Sequence, residues 1–152
     1  MSLESILAMK GEEVKYAPPL PVGTYTLQMF GKPNFVDQSR RGGTDYVDFQ
    51  AKVAAIGDNV SQDQIDQFPG GRASIVGMEL KGRGGTRFYL SEAALPMLKD
   101  WLVETLGIDG TLTLKEMCFQ VPGKMCLAEI QQEPTQDGKR MVSNIRSYAK
   151  LG

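Results

Sequence analysis

Residues 45–56 alternate with a period of two. Val47, Phe49, Ala51, Val53 and Ala55 share one side, and Tyr46, Asp48, Gln50 and Lys52 share the other. A helix would spread these apolar groups around its circumference, whereas a strand sends successive side chains to opposite faces. The segment is expected to be a strand buried on one face and wet on the other, as in an antiparallel sheet. Residues 22–30 have the same character, with Tyr25, Leu27 and Met29 on one side and Thr24, Thr26, Gln28 and Phe30 on the other.

Further strands are expected at 73–80 and 86–90, flanking Lys81-Gly82-Arg83-Gly84-Gly85, whose glycines permit a tight hairpin turn. Two more, at 124–132 and 139–148, surround a turn at 134–138 for which Asp137-Gly138 supplies the backbone chemistry. Between the hairpins, residues 91–106 read as one substantial helix, capped by Ser91 and carrying Leu95, Leu98, Leu102 and Leu106 as an apolar stripe joined by Trp101. Pro96 either distorts its first turn or moves its start closer to the proline. Gly107 stops it, and a short amphipathic stretch follows at 112–118.

The chain is thus mainly β with about six strands and one helix, compatible with a small Greek-key β-barrel whose exposed face and loops bind oligonucleotides. At 152 residues and 41% hydrophobic content it fits a single core, spanning residues 20–152. Residues 1–19 form a separate leader. Leu3, Ile6 and Leu7 have helical spacing, and Gly11 and Pro18-Pro19 end it, so this piece is either mobile or docked on the domain or on a neighbouring copy.

The absence of histidine removes imidazole general bases, Ser-His and Cys-His nucleophile pairs and Cys/His zinc sites. Cys118 and Cys126 each sit beside large apolar residues, which suits buried reduced thiols rather than a redox pair or metal clip. No Gly-Lys-Ser/Thr closes either glycine-rich loop, so nucleotide triphosphate hydrolysis has no motif. The acids Asp45 and Asp48 have opposite strand parity. Asp58, Asp63 and Asp66 read as solvated loop charges rather than a magnesium site. The expectation is a protein that is not an enzyme, with no cofactor and no metal. No apolar run reaches the roughly 20 residues of a membrane span, and no signal peptide or disulfide framework is legible, so a cytoplasmic location is expected.

A net charge of −1 conceals a pattern. Residues 139–152 carry Lys139, Arg140, Arg146 and Lys150 with no acid, leaving −5 for residues 1–138. Lys32, Arg40 and Arg41 make the 31–43 region locally basic, and Lys81, Arg83 and Arg87 do the same near the second glycine-rich loop, whereas 57–69 is locally acidic. If the apolar side of 45–56 faces inward, Tyr46 and Lys52 face outward together. The same parity groups Arg87 with Tyr89, and Arg140 with Arg146 and Tyr148; Phe30 falls on the polar side of its strand. Rings that stack on bases beside cations that follow phosphates are what a single strand of nucleic acid requires. The candidate DNA-binding set is therefore Phe30, Tyr46, Tyr89 and Tyr148 for stacking, with Lys32, Arg40, Arg41, Lys52, Lys81, Arg83, Arg87, Arg140 and Arg146 for phosphates.

The order and spacing of several segments resemble a known family. They are Leu20-Pro21-Val22-Gly23-Thr24-Tyr25 before the first strand, the alternating second strand, the helix ending Leu106-Gly107, Gly123-Lys124 at a strand entry, and Asp137-Gly138-Lys139 followed by Asn144-Ile145-Arg146-Ser147-Tyr148. Over residues 20–148 this is similar to phage-encoded single-stranded DNA-binding proteins of OB-fold type. The resemblance implies an OB-like Greek-key barrel that coats single-stranded DNA in phage replication or recombination, in the host cytoplasm. Its implied partners are that DNA and phage replication or recombination proteins, and a homo-oligomer is compatible with it. Many such proteins recruit partners through an acidic tail, whereas this sequence ends Arg146-Ser147-Tyr148-Ala149-Lys150-Leu151-Gly152. The alternative reading is a phage structural or assembly protein that uses the same barrel for protein contacts.

Overall fold

A computed structural model describes residues 2–13, 18–82 and 84–152, with the Glu13 side chain excluded. Arg83 lies outside the described residues. The chain forms a mainly antiparallel sheet of six strands with short helices around it. The strands are β1 (Gly23–Val36), β2 (Tyr46–Ile56), β3 (Glu79–Lys81), β4 (Arg87–Tyr89), β5 (Met125–Pro134) and β6 (Met141–Lys150). Their order is β3-β2-β1-β5-β6, with β4 also paired to β2.

Strand pairing leaves the sheet open. Its two ends are bridged where the Ile145 N–H donates to the Gly84 carbonyl at 2.8 Å and the Tyr148 hydroxyl donates to the Gly85 carbonyl at 2.6 Å. Gly84 allows this approach: its φ is +92°, and a Cβ there would lie 2.5 Å from Asn144 Oδ1. The glycine-rich loop therefore fastens the seam of the sheet.

Period-two facing holds over residues 23–30 of β1 and 46–53 of β2; a register shift at Ala54 then leaves Ala55, expected inward, exposed opposite Thr26. Tyr25, Leu27 and Met29 pack inward against Val47, Phe49, Ala51 and Val53, and β5 adds Cys126, Ala128 and Ile130. Trp101 sits in an aromatic cluster, with ring centroids 4.7 Å from Phe88, 5.0 Å from Phe49 and 5.5 Å from Tyr148. β1 runs six residues past the expected end at Phe30. The register steps from Phe30 opposite Gln50 to Asn34 opposite Asp48, so Gly31-Lys32-Pro33 forms a bulge that bends the strand.

The helical elements depart from expectation in three places. The helix after β4 spans α4 (Leu95–Asp100) and continues as a π-helical turn, Trp101–Thr105; it starts late because Pro96 occupies its first turn, while residues 91–94 form a separate turn. Residues 73–80 are not one strand. They divide into α3 (Gly71–Ile75), entered through left-handed Gly70, and the short β3, because Ile75 is drawn into the core and Gly77 at φ +93° reverses the chain. The acidic 57–69 segment holds a helix, α2 (Gln62–Gln67), capped by Ser61 and anchored by buried Ile65 and Phe68.

Another helix, α5 (Leu114–Phe119), starts in a reciprocal Thr113–Glu116 capping box. In the leader, α1 (Leu3–Leu7) forms with Ser2 as its cap, and none of its residues is buried. Among the described residues no helix is long and apolar enough to cross a membrane.

Candidate nucleic-acid interface

The outer face of β1, β2, β3 and β4 collects Phe30, Tyr46, Tyr89, Lys52, Lys81 and Arg87, six of the thirteen residues singled out in the sequence. Lys52 lies opposite Gln28 and Glu79; Gln50 lies opposite Phe30 and Lys81; Asp48 lies opposite Arg87; and Tyr46 lies opposite Tyr89. Their neighbours one position along are buried on the other face, so these side chains share the wet side.

Two ring–cation pairs stand on this face. Lys52 Nζ is 6.0 Å from the centroid of Phe30, its diagonal neighbour. Arg87 lies closer to its ring, with its guanidinium carbon 3.8 Å above the centroid of Tyr46. The Arg87 guanidinium also donates to both Asp48 oxygens, at 2.8 and 3.0 Å. This fork-to-carboxylate pair raises the Arg87 pKa, first through the hydrogen bonds to Asp48. Tyr89 meets Tyr46 edge-on at 6.0 Å and keeps 44% of its surface exposed. Arg87 therefore serves chiefly to hold the Tyr46 ring, since a phosphate would have to compete with Asp48 for it.

Lys32, Arg40 and Arg41 are exposed near the far end of the β1–β2 hairpin. The two arginines belong to a single 3-10 turn, Ser39–Arg41, closed by left-handed Gly42. Two carboxylates organise that loop: Asp45 accepts from the Gln38 N–H at 2.7 Å and Asp37 from the Ser39 N–H at 2.8 Å. The Asp37 pKa is lowered by that backbone bond and by the Ser39 side chain. Lys81 is exposed beside Gln50.

The remaining expected residues lie elsewhere. Arg140 is exposed in the β5–β6 turn. Arg146 is the extra residue of a bulge, because the register steps from Glu129 opposite Ser147 to Ile130 opposite Ile145. It pairs with Glu129 at 3.7 Å.

Tyr148 is a correction. Opposite inward Ala128, its ring turns into the aromatic cluster beside Trp101 and Phe88, and burial raises its hydroxyl pKa. Half-buried, it packs against the core and fastens the seam, so its ring does not face outward with Arg140 and Arg146 as expected.

Two features escaped the sequence reading. A cavity of about 650 Å³ opens between the helix after β4 and β6, with Trp101, Ile145 and Tyr148 among its walls and Asp100 and Glu104 beside them. Phe35 and Phe119 pair in the open at 6.1 Å between ring centroids. The alternation past Phe30 assigns Phe35 to the inward side with Leu27 and Met29, so it reads as core, and its partner on α5 had no sequence signal. Both cysteines are buried and free, and burial pushes each thiol up to about 11. Among the described residues, no group of three or more His, Cys, Asp or Glu side chains is arranged to hold a metal.

The face as a whole offers rings for stacking, lysines for anions and glutamine amides between them, a surface that can hold a flexible polyanion without reading its sequence. In comparison with known proteins, no protein-family model and no curated protein matches this sequence.

Proposed function

We propose that this chain is a sequence-tolerant single-stranded DNA-binding protein and not an enzyme. The observation that carries the reading is the outer sheet face on which Phe30 with Lys52, and Tyr46 with Arg87 and Tyr89, stand as adjacent ring–cation groups. Bases stack on Phe30, Tyr46 and Tyr89, while Lys52, Lys81, Lys32, Arg40 and Arg41 follow the phosphates.

In this reading the curled sheet, with its ends tied at Gly84 and Gly85, is an OB-like Greek-key barrel whose seam is held by the loop. The order of strands and the position of the helix after β4 support it. A role in phage DNA replication or recombination in the host cytoplasm follows from the family resemblance.

Titration with oligo-dT at rising salt tests the proposal. Binding should weaken with a log-log slope of about −0.7 per phosphate neutralised. A protein that ignores the oligonucleotide, or a response flat in salt, would contradict it.

A second reading, a phage structural or assembly protein, is favoured by the leader, where Leu3 and Leu7 are 70% and 75% exposed. It predicts a defined oligomer with no gel shift on DNA.

A further inference from the structure

We infer that Phe35 and Phe119 form a second base-stacking subsite, on the opposite side of the β1–β2 hairpin from Tyr46. The inference rests on the single-stranded DNA reading above and extends the path of the strand. Phe35 lies opposite Val47 and so points away from the Tyr46 face, and Phe119 ends α5. After their mutual contact the two rings still expose 42% and 48% of their surface. Paired phenylalanines open to water are a binding surface awaiting cover.

Continuity with the first face argues for DNA as that cover. β5 pairs with β1 only from Gly23 to Gln28, and beyond Met29, which bonds Gly123 and Lys124, no strand among the described residues covers the β1 edge. The bulge carries exposed Gly31 and Lys32 along that edge, between Phe30 on one face and Phe35 on the other. Five residues of strand span at most about 17 Å, a distance a short run of nucleotides can cross.

Charge argues the same way. Lys124 is brought beside β1 by the Met29 N–H bonded to its carbonyl at 2.8 Å, and Gly123 donates back to Met29 at 2.8 Å. Lys32, Arg40 and Arg41 lie on the same hairpin, where Asp37 and Asp45 are occupied with backbone N–H groups. A two-fold contact through this patch would set like charges against each other, which disfavours a second copy and favours a polyanion.

The test compares two oligo-dT probes, one of about 6 nucleotides, near the low end of the roughly 4–16 that such a fold covers, and one of about 20, beyond its high end. Phe119→Ala and Phe35→Ala should each weaken the long probe roughly five-fold or more, the low end for one stacked base, and leave the short probe unchanged. Tyr46→Ala should weaken both. Because Trp101 is the only tryptophan and is buried, Phe119→Trp adds an exposed reporter whose fluorescence the long probe should quench and the short probe should not.

If the Phe variants bind both probes like wild type while Tyr46→Ala weakens them, the second subsite is overturned and the proposed function stands. If Tyr46→Ala changes neither, the proposed function itself fails. Equal weakening of both probes with a fall in melting temperature would assign the pair to holding α5. A shift from dimer to monomer in sedimentation would make a second copy its cover. Either result overturns the subsite.

Discussion

The Arg87 guanidinium carbon lies over the Tyr46 ring, 3.8 Å from its centroid, while Nε and Nη2 donate to the two Asp48 oxygens. Arg87 and Asp48, together with Tyr89 edge-on at 6.0 Å, thus fix one ring on the wet face of the sheet. A ring held in place before it meets a base loses less conformational freedom on binding, so more of the stacking energy remains as affinity.

Removing that ring tests its role directly. Tyr46→Ala is expected to cost about 1–3 kcal/mol of oligonucleotide binding. The melting temperature should change little, because the ring lies outside the buried core. Fluorescence titration beside a thermal melt separates the outcomes. A large loss of stability with unchanged binding would mean the ring is structural.

Asp48→Asn should act in the opposite direction on binding. It releases Arg87 toward phosphate, so the log-log salt slope should steepen by about 0.7 if one more phosphate is neutralised. The same change should lower stability by about 1–2 kcal/mol through the lost charge-assisted bonds of a half-buried pair. Affinity that falls, with a shallower slope, would show that Asp48 is needed to aim Arg87.

Tyr148→Phe should reverse the Tyr46 pattern. It removes the bond to the Gly85 carbonyl and should cost about 0.5–1.5 kcal/mol of stability with oligonucleotide affinity unchanged. Gly84→Ala should destabilise the same seam by about 1–3 kcal/mol, because a Cβ there needs an unfavourable backbone angle and meets Asn144. Denaturant melts of both variants check this, and a DNA-binding defect in Tyr148→Phe without a stability loss would contradict the seam assignment.

Alkaline pH should weaken the fold in a definite window. Burial raises the Cys118 and Cys126 thiols from 9.0 to about 11, so above pH 9 the unfolded chain releases protons that the native state retains. Stability is full below pH 9 and should fall as pH rises through about 11; Tyr25, raised from 10.0 to about 12, extends the loss. Cys126→Ala should flatten the fall in melting temperature over that range. Both thiols should also resist a thiol reagent at pH 8 until the protein unfolds.

The sequence carried a large part of this face because facing along a strand is a local property. Once Val47, Phe49 and Ala51 are set inward, backbone geometry leaves Tyr46 and Lys52 outward, and the same parity correctly placed Phe30, Arg87 and Tyr89 on the wet side. It failed where the ladder gains or loses a residue. Arg146 sits in a bulge, and Tyr148, expected beside it on the wet side, packs inward opposite Ala128. The 73–80 segment was misread because Ile75 satisfies a helix facing the core as well as a strand, and only the glycines at 70 and 77 and the packing around Ile75 separate the two.

By itself, then, the order of residues determined the alternation of the long strands, the glycine that ends the helix after β4, and the supply of rings and cations on polar faces. It did not determine the helix start, which lies at Ala94 and not at the expected cap Ser91. Tertiary structure decided which of those groups meet. Asp48 takes Arg87 out of free solution, Gly84 and Gly85 tie the sheet ends, and Phe35 on β1 meets Phe119 at the end of α5. The reason is physical: each of these contacts joins segments far apart in the chain, and their geometry is set by strand register and bulges, which depend on partners that no local pattern contains.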